Sequence, residues 1–148
     1  MSAIAIRQIY RSDKPEWAAL WKAYLEFYET SLPDEIYNAT FERLLSDSHP
    51  DQNGFLAIMD NTPVGLVHYI YHAHNWNLGK VCYLQDLYAK PQARGMGAGR
   101  KLIEAVYAAA DQAECPSVYW LTQDFNHAAR KLYDKMATLT PFIKYSRS

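Results

Sequence analysis

Three glycines, Gly95, Gly97 and Gly99, alternate in Gln92-Ala93-Arg94-Gly95-Met96-Gly97-Ala98-Gly99, after a β-favouring run and before an amphipathic stretch. Glycine lets a backbone approach a ligand closely and take conformations that side chains resist. The first turn of a helix carries N–H groups without helical partners, and its dipole favours negative charge. Together these make a cradle for phosphate. The nucleotide P-loop requires Gly-Lys-Ser/Thr, whereas Gly99 is followed by Arg100-Lys101-Leu102. The dinucleotide fingerprint would need glycine at 100 or 102, where Arg and Leu stand. Both patterns fail. Two readings remain: a cradle for some other phosphate ligand, or a tight strand-to-helix turn packed on a sheet.

Other side chains could carry chemistry. Tyr133 falls in the stripe Ala129, Leu132, Tyr133, Met136, and periodicity alone makes it core. Glu26, Glu29, Asp34 and Glu35 cluster around Leu32-Pro33. They form either a solvated helix end or a field that attracts a cation. Tyr24, Phe27, Tyr28, Tyr69 and Tyr71 are candidates for a pocket wall, with ordinary core as the alternative. His68, His72 and His74 share parity, so a continuous strand would point them to one face. No carboxylate accompanies them at ligand spacing, and edge-strand or pocket-lining histidines are the better reading than a metal site.

These residues need elements to position them. The 148 residues suit one domain over 1–148, and a hydrophobic fraction of 49% supplies its core. A formal charge of −1 argues against gripping nucleic acid. No apolar run approaches the ~20 residues of a membrane span, and no signal-peptide pattern opens the chain. Cys82 and Cys115 are too few for a disulfide framework. A cytoplasmic protein with reduced thiols is the simplest expectation.

Ile4, Ile6 and Ile9 suggest a first strand, and Asp13-Lys14-Pro15-Glu16 a helix start. Trp17, Leu20, Trp21, Tyr24, Leu25 and Tyr28 then make one helical stripe. A second helix should bury Ile36, Tyr37, Phe41, Leu44 and Leu45. Strands are expected over 55–59, 64–71 and 81–89, with a turn at Asp60-Asn61-Thr62-Pro63 and a loop over 72–80. The helix after the glycines should stop at Cys115-Pro116, and the run 117–123 reads as a strand covered on both faces. Asn126 can cap a last helix, and 141–145 would be a final strand. That order implies an α/β mixed sheet with helices on both faces.

The segment from Pro91 to Gly99 resembles motif A of the GNAT N-acetyltransferase superfamily, Gln/Arg-x-x-Gly-x-Gly/Ala. A second family motif follows at the expected distance, Asn126-x-x-Ala129-x-x-x-Tyr133. Tyr83-Leu84-Gln85-Asp86-Leu87-Tyr88 and Phe142-Ile143-Lys144-Tyr145 look most like the branch of spermidine/spermine and related small-amine or D-amino-acid N-acetyltransferases. The resemblance implies a central twisted mixed sheet of about six to seven strands flanked by four helices. It implies acetyl-CoA as co-substrate, with Gln92 opening a cradle of backbone amides from Arg94 through Gly95, Met96, Gly97, Ala98 and Gly99 to Arg100. The pantetheine arm would follow the backbone of Leu87, Tyr88 and Ala89 into a V-shaped opening between the fourth and fifth strands, flanked by Asn126 and Ala129. Backbone N–H groups near Tyr88 and Ala89 would stabilise the oxyanion. Tyr133 matches the family's proton donor to the departing thiolate, and that match outweighs the core placement that periodicity alone gives it.

The family's base does not carry over. Polyamine enzymes have Glu before Asp, whereas this chain has Gln85-Asp86, and glutamine does not usefully accept a proton. Asp86, a water chain or loss of the proton to solvent could serve. Tyr28, Glu29, Gln85 and Asp86 border the acceptor region by resemblance. The implied activity moves an acetyl group to a primary amine of a small molecule such as a polyamine or amino acid, in a ternary complex and without a metal. A homodimer is the family-level expectation. The alternatives are a lysine acetyltransferase acting on protein or peptide, and a CoA-binding sensor without turnover.

Overall fold

The structure, a computed structural model, describes residues 3–148, so residues 1 and 2 of the expected domain lie outside the described residues. Alternating apolar residues form β1, Ile4–Gln8. A short 3-10 turn at Arg11–Asp13 leads into α1, Lys14–Phe27, and α2, Asp34–Leu45, follows. Asp13 flanks α1 as expected, but its carboxylate makes no helix cap. Instead it accepts the Tyr10 backbone N–H at 2.7 Å and the Arg7 guanidinium at 2.7 and 3.0 Å, tying β1 to the helix start.

β2, Gln52–Met59, and β3, Thr62–Ala73, form a hairpin, and β4, Lys80–Ala89, continues the meander. Asp60 and Asn61 hold φ of 51° and 62°, the left-handed pair of a two-residue hairpin turn. The β2 and β3 strands run longer at their far ends than residue pattern alone suggests, because each extension has a partner to pair with. After β4 come the one-turn α3, Pro91–Arg94, then α4, Ala98–Gln112, β5, Val118–Tyr119, and α5, His127–Met136. The sheet order is β1-β2-β3-β4-β5, antiparallel except for the parallel β4–β5 pair.

The sheet is therefore mixed, as expected, with four longer helices beside it among the described residues. Its two faces carry separate cores. Leu102, Ile103, Val106 and Ala110 of α4 pack on Ala57, Val67, Cys82 and Leu84. On the other face Trp17, Leu20, Trp21 and Phe41 of α1 and α2 pack on Leu56 and Leu66. Each fully buried large side chain contributes about 1.5–3 kcal/mol relative to exposure.

Four expectations change. Among the described residues the sheet has five strands rather than about six to seven. The run 117–123 forms only two residues of strand, since β5 pairs β4 solely at Cys82–Val118 and Tyr83–Tyr119. β-favouring residues do not make a strand without a partner backbone to bond. The final strand over 141–145 does not form: Phe142, Ile143 and Tyr145 are 84%, 77% and 90% exposed. Ile36, expected inside, is exposed, whereas Phe41 is fully buried. Among the described residues no helix is long and apolar enough to cross a membrane.

Candidate active site

β4 and β5 part after Tyr83, and a cavity of about 400 Å³ opens where they diverge. Its floor is the β4 stretch Leu87–Ala89, and one wall is Tyr24, Phe27 and Tyr28 at the end of α1. Arg94, Gly97, Gly99 and Arg100 close one end, and Asn126, Ala128, Ala129, Leu132 and Tyr133 of α5 the other side. An edge left by diverging strands exposes backbone N–H and C=O groups that an extended ligand can bond.

The glycine-rich turn is more articulated than a direct strand-to-helix step. The single helical turn of α3 intervenes, and Gly97 is the residue before α4, with φ 83°. That left-handed conformation costs an ordinary residue about 1 kcal/mol or more. A Cβ built at Gly95 or Gly97 meets nothing within 4 Å, so these positions face open space. At Gly99 it would come within 3.3 Å of the Leu132 side chain, so a bare backbone there lets α5 lie close. Lys101 N–H is bonded to the Gly97 carbonyl at 3.0 Å, so the amides of Ala98, Gly99 and Arg100 precede the helical ladder. Two cations, Arg94 and Arg100, reinforce the positive end of α4 at the cavity. Arg94 is fixed by Nε donating to the Ala89 carbonyl at 2.8 Å, and its guanidinium lies over the Tyr88 ring. The arrangement suits a phosphate-bearing ligand running from the turn along β4.

Of the residues singled out for the cofactor, Leu87, Tyr88, Ala89, Arg94, Gly97, Gly99, Arg100, Asn126 and Ala129 converge on this cavity. Gln92, Gly95 and Met96 are exposed outside its lining, and the Ala98 side chain is buried in the α4 core. Asn126 caps α5, its Oδ1 accepting the Ala129 N–H at 3.4 Å. Tyr133 lines the cavity while its ring packs edge-on against Trp120, 5.5 Å between centroids. Burial, then the neighbouring Tyr28, pushes its phenol up to about 12. The hydroxyl therefore holds its proton throughout the neutral range.

Asp86 is buried and occupies a different position from its neighbour. β3 and β4 pair Tyr69 with Leu84 but His68 with Asp86, so Gln85 is an extra residue bulged from the ladder. The bulge turns Asp86 to the α1 face and leaves Gln85 exposed. Asp86 Oδ2 is 2.8 Å from His68 Nδ1, and His68 Nε2 is 2.9 Å from Trp17 Nε1. An indole nitrogen only donates, so His68 Nε2 must accept. The imidazole is thereby neutral, with its proton on Nδ1 and donated to Asp86. Burial first, and the Asp86 charge second, push the phenols of Tyr24 and Tyr28 above their ordinary range. Asp86 thus stands behind the tyrosine wall.

Not every acceptor candidate joins this arrangement. Tyr28 lines the cavity, while Glu29 is exposed past the end of α1 with φ 56° and outside the lining. Gln85 and Asp86 border a separate cavity instead. Tyr69 and Tyr71 join the α4-side core, and Tyr69 also borders that second cavity. The three histidines do not converge. His72 meets the Tyr119 hydroxyl at 2.8 Å, and His74 accepts the Trp76 N–H at 3.1 Å. Among the described residues no group of three His, Cys, Asp or Glu could hold a metal. The His68–Asp86 contact was not legible as a function of His68, because hairpin counting alone sets His68 opposite Gln85 and only the bulge moves Asp86 there.

Known proteins resemble this chain in sequence and in fold. A model described as the acetyltransferase (GNAT) family matches residues 7–137. The chain is 40% identical over 147 residues to a D-amino-acid N-acetyltransferase of Saccharomyces cerevisiae, covering 98% of this chain and 91% of that one. It is 31% identical over 96 residues to a thialysine N-epsilon-acetyltransferase of Caenorhabditis elegans, covering 64% of this chain and 59% of the relative. An aminoglycoside N-acetyltransferase solved in complex with CoA superposes with a TM-score of 0.84 at 21% identity, covering 100% of this chain and 96% of the other. That last likeness is one of fold.

Proposed function

The chain belongs to the GNAT acetyltransferase family and is an N-acetyltransferase, and from that premise we propose that it transfers acetyl from acetyl-CoA to the primary amine of a small molecule. The observation that carries this reading is one continuous cavity joining the Gly97–Gly99 turn, the open edge at Leu87–Ala89 and the Tyr133 hydroxyl. The positive φ of Gly97, the open space beside it and the two arginines fit a pyrophosphate. The names of the relatives, acting on D-amino acids and thialysine, support a small amine acceptor.

When bound, acetyl-CoA supplies an acetyl group activated as a thioester. The residues of this chain do the rest. Backbone N–H groups of β4 near Tyr88 and Ala89 receive the developing negative charge on the carbonyl oxygen. Asp86 stands behind Tyr24 and Tyr28, outside this cavity, so it takes the amine's proton through water as the carbon–nitrogen bond forms. Tyr133 donates its Oη proton to sulfur as the carbon–sulfur bond breaks, and a phenol held up to about 12 is fully loaded for that task. Tyr24, Phe27 and Tyr28 exclude bulk water from the reacting atoms.

The test is a thermal-shift panel of CoA, NAD and ATP, paired with thiol release from acetyl-CoA in the presence of amines. CoA is expected to raise Tm by the largest margin, since a ligand specific for the native state stabilises it by mass action. Equal shifts with NAD or ATP would remove the cradle assignment.

A further inference from the structure

A side opening of about 390 Å³ adjoins the reaction cavity, between the end of α1 and residues 123–128 at the start of α5. Phe27, Asn126 and Ala128 line both, so the two form one continuous space. Its walls carry two exposed rings, Phe27 and Phe125, at 55% and 66% exposure, with the polar Gln123 and His127 at the rim. Exposed apolar surface with a polar rim is what ligand grooves present. A benzene ring fits an apolar cavity of about 150 Å³, so this opening has room for a ring or a branched alkyl group.

An aromatic file leads inward from this opening. Phe27 packs edge-on against Tyr28 at 5.1 Å between centroids, and Tyr28 against Tyr24 at the same distance. Tyr28 also stands close enough to Tyr133 to help push its phenol up. The cofactor reading gives the β4 floor and the arginine end to acetyl-CoA, which leaves the α1 wall and the opening beside it for the other substrate. Charge narrows what that substrate carries. Among the described residues no carboxylate lines the cavity or the opening, and the charged side chains on the cavity lining are Arg94 and Arg100. Glu26 borders a different cavity together with Lys14 and Lys22, and Asp86 stands behind the tyrosine wall.

We propose that the opening holds the tail of the acceptor, that this tail is aromatic or apolar and uncharged, and that Phe27 and Phe125 select it. The proposal rests on the acetyl-transfer reading and adds the group that the amine must bear. A ring entering there buries apolar area and meets two further rings in edge or offset contact. A second ammonium would instead leave water for a space that holds two like charges and no partner.

The experiment uses the full chain with acetyl-CoA and two sets of acceptors, each with an aromatic, a small and a cationic member. One set is phenethylamine, ethylamine and 1,4-diaminobutane; the other is phenylalanine, alanine and ornithine, in D and L forms. Comparison within a set removes any need the enzyme has for a carboxylate. In whichever set turns over, the aromatic member is expected to exceed the other two in kcat/KM by at least about tenfold, the lower end of what an apolar pocket discriminates. Phe125→Ala, at an exposed position where the fold tolerates truncation, should bring that ratio close to one through KM while the Kd of CoA holds. A small or cationic member serving as well as the aromatic one would overturn the proposal, and so would a ratio that survives Phe125→Ala. A raised Kd of CoA in Phe125→Ala would assign the opening to the cofactor and overturn it too. Should neither set be acetylated, calorimetric titration of phenethylamine and phenylalanine into the CoA-saturated protein separates the two readings. Binding that weakens in Phe125→Ala upholds the opening while the transfer reading fails, and any other result removes the opening as well.

Discussion

Replacing Tyr133 by Phe removes one oxygen and almost nothing else. The ring keeps its edge-on contact with Trp120 and its place in the α5 stripe. The hydroxyl makes no hydrogen bond to another described residue and borders the cavity, so no buried partner is orphaned. The change in stability should stay within about 0.5 kcal/mol, or roughly 1–2 °C in Tm for a chain of this size. Its effect on turnover should be far larger. A positioned general acid contributes about 10²–10⁴-fold, and the lower part of that range applies because solvent can protonate a thiolate unaided. A loss of about 10²–10³ in kcat corresponds to ~3–4 kcal/mol of transition-state stabilisation. CoA binding should be nearly unchanged, because the proposed cofactor grip comes from the turn and β4. The assay is thiol release under saturating amine, followed from pH 6 to 10 and paired with thermal unfolding. The sign of the pH dependence is set by burial. Tyr133 is pushed up to about 12, so it stays protonated across this window and contributes no descending limb. The reasoning is refuted by an unchanged kcat, or by a descending limb near pH 9–10 in the unmodified protein that disappears in Tyr133→Phe.

Two further outcomes follow from the same geometry. Gly97→Glu must adopt φ 83° with a side chain and places a negative charge at the start of α4; the Kd of CoA should rise by more than about 10²-fold while the fold persists, and unaltered calorimetric binding would sink the cradle. His68→Phe leaves Trp17 Nε1 without an acceptor and takes a hydrogen bond from the Asp86 carboxylate, so chemical unfolding should show a loss of about 2–5 kcal/mol, and a loss under about 1 kcal/mol would show that the chain Trp17–His68–Asp86 does not hold Asp86 in place.

The sequence by itself determined the elements with strong period and sharp punctuation. The stripe from Trp17 to Leu25 had to be a helix, and it is, with Trp17 and Leu20 fully buried. Asp60-Asn61 had to turn, since both residues tolerate the left-handed region that the hairpin needs. The glycine-rich turn was visible as local backbone chemistry with two readings open, and Asn126 with Tyr133 stood out only through the resemblance to a family motif; they meet across one cavity. What only the tertiary structure decided depends on partners distant in the chain. The run 117–123 is almost continuously β-favouring, from Val118 to Thr122, yet only Val118 and Tyr119 find a backbone to pair with once β4 veers away. That divergence, which makes the cavity, is written in no single segment. Nor is the bulge at Gln85. It shifts the register by one residue, and a shift of one exchanges the faces of a strand. Residue counting would put glutamine opposite His68; the folded sheet puts Asp86 there and lets Gln85 swing outward. The glycine-rich turn could promise an anion, but only the folded chain sets Tyr133 of α5 across one cavity from it and Asp86 of β4 behind the tyrosine wall.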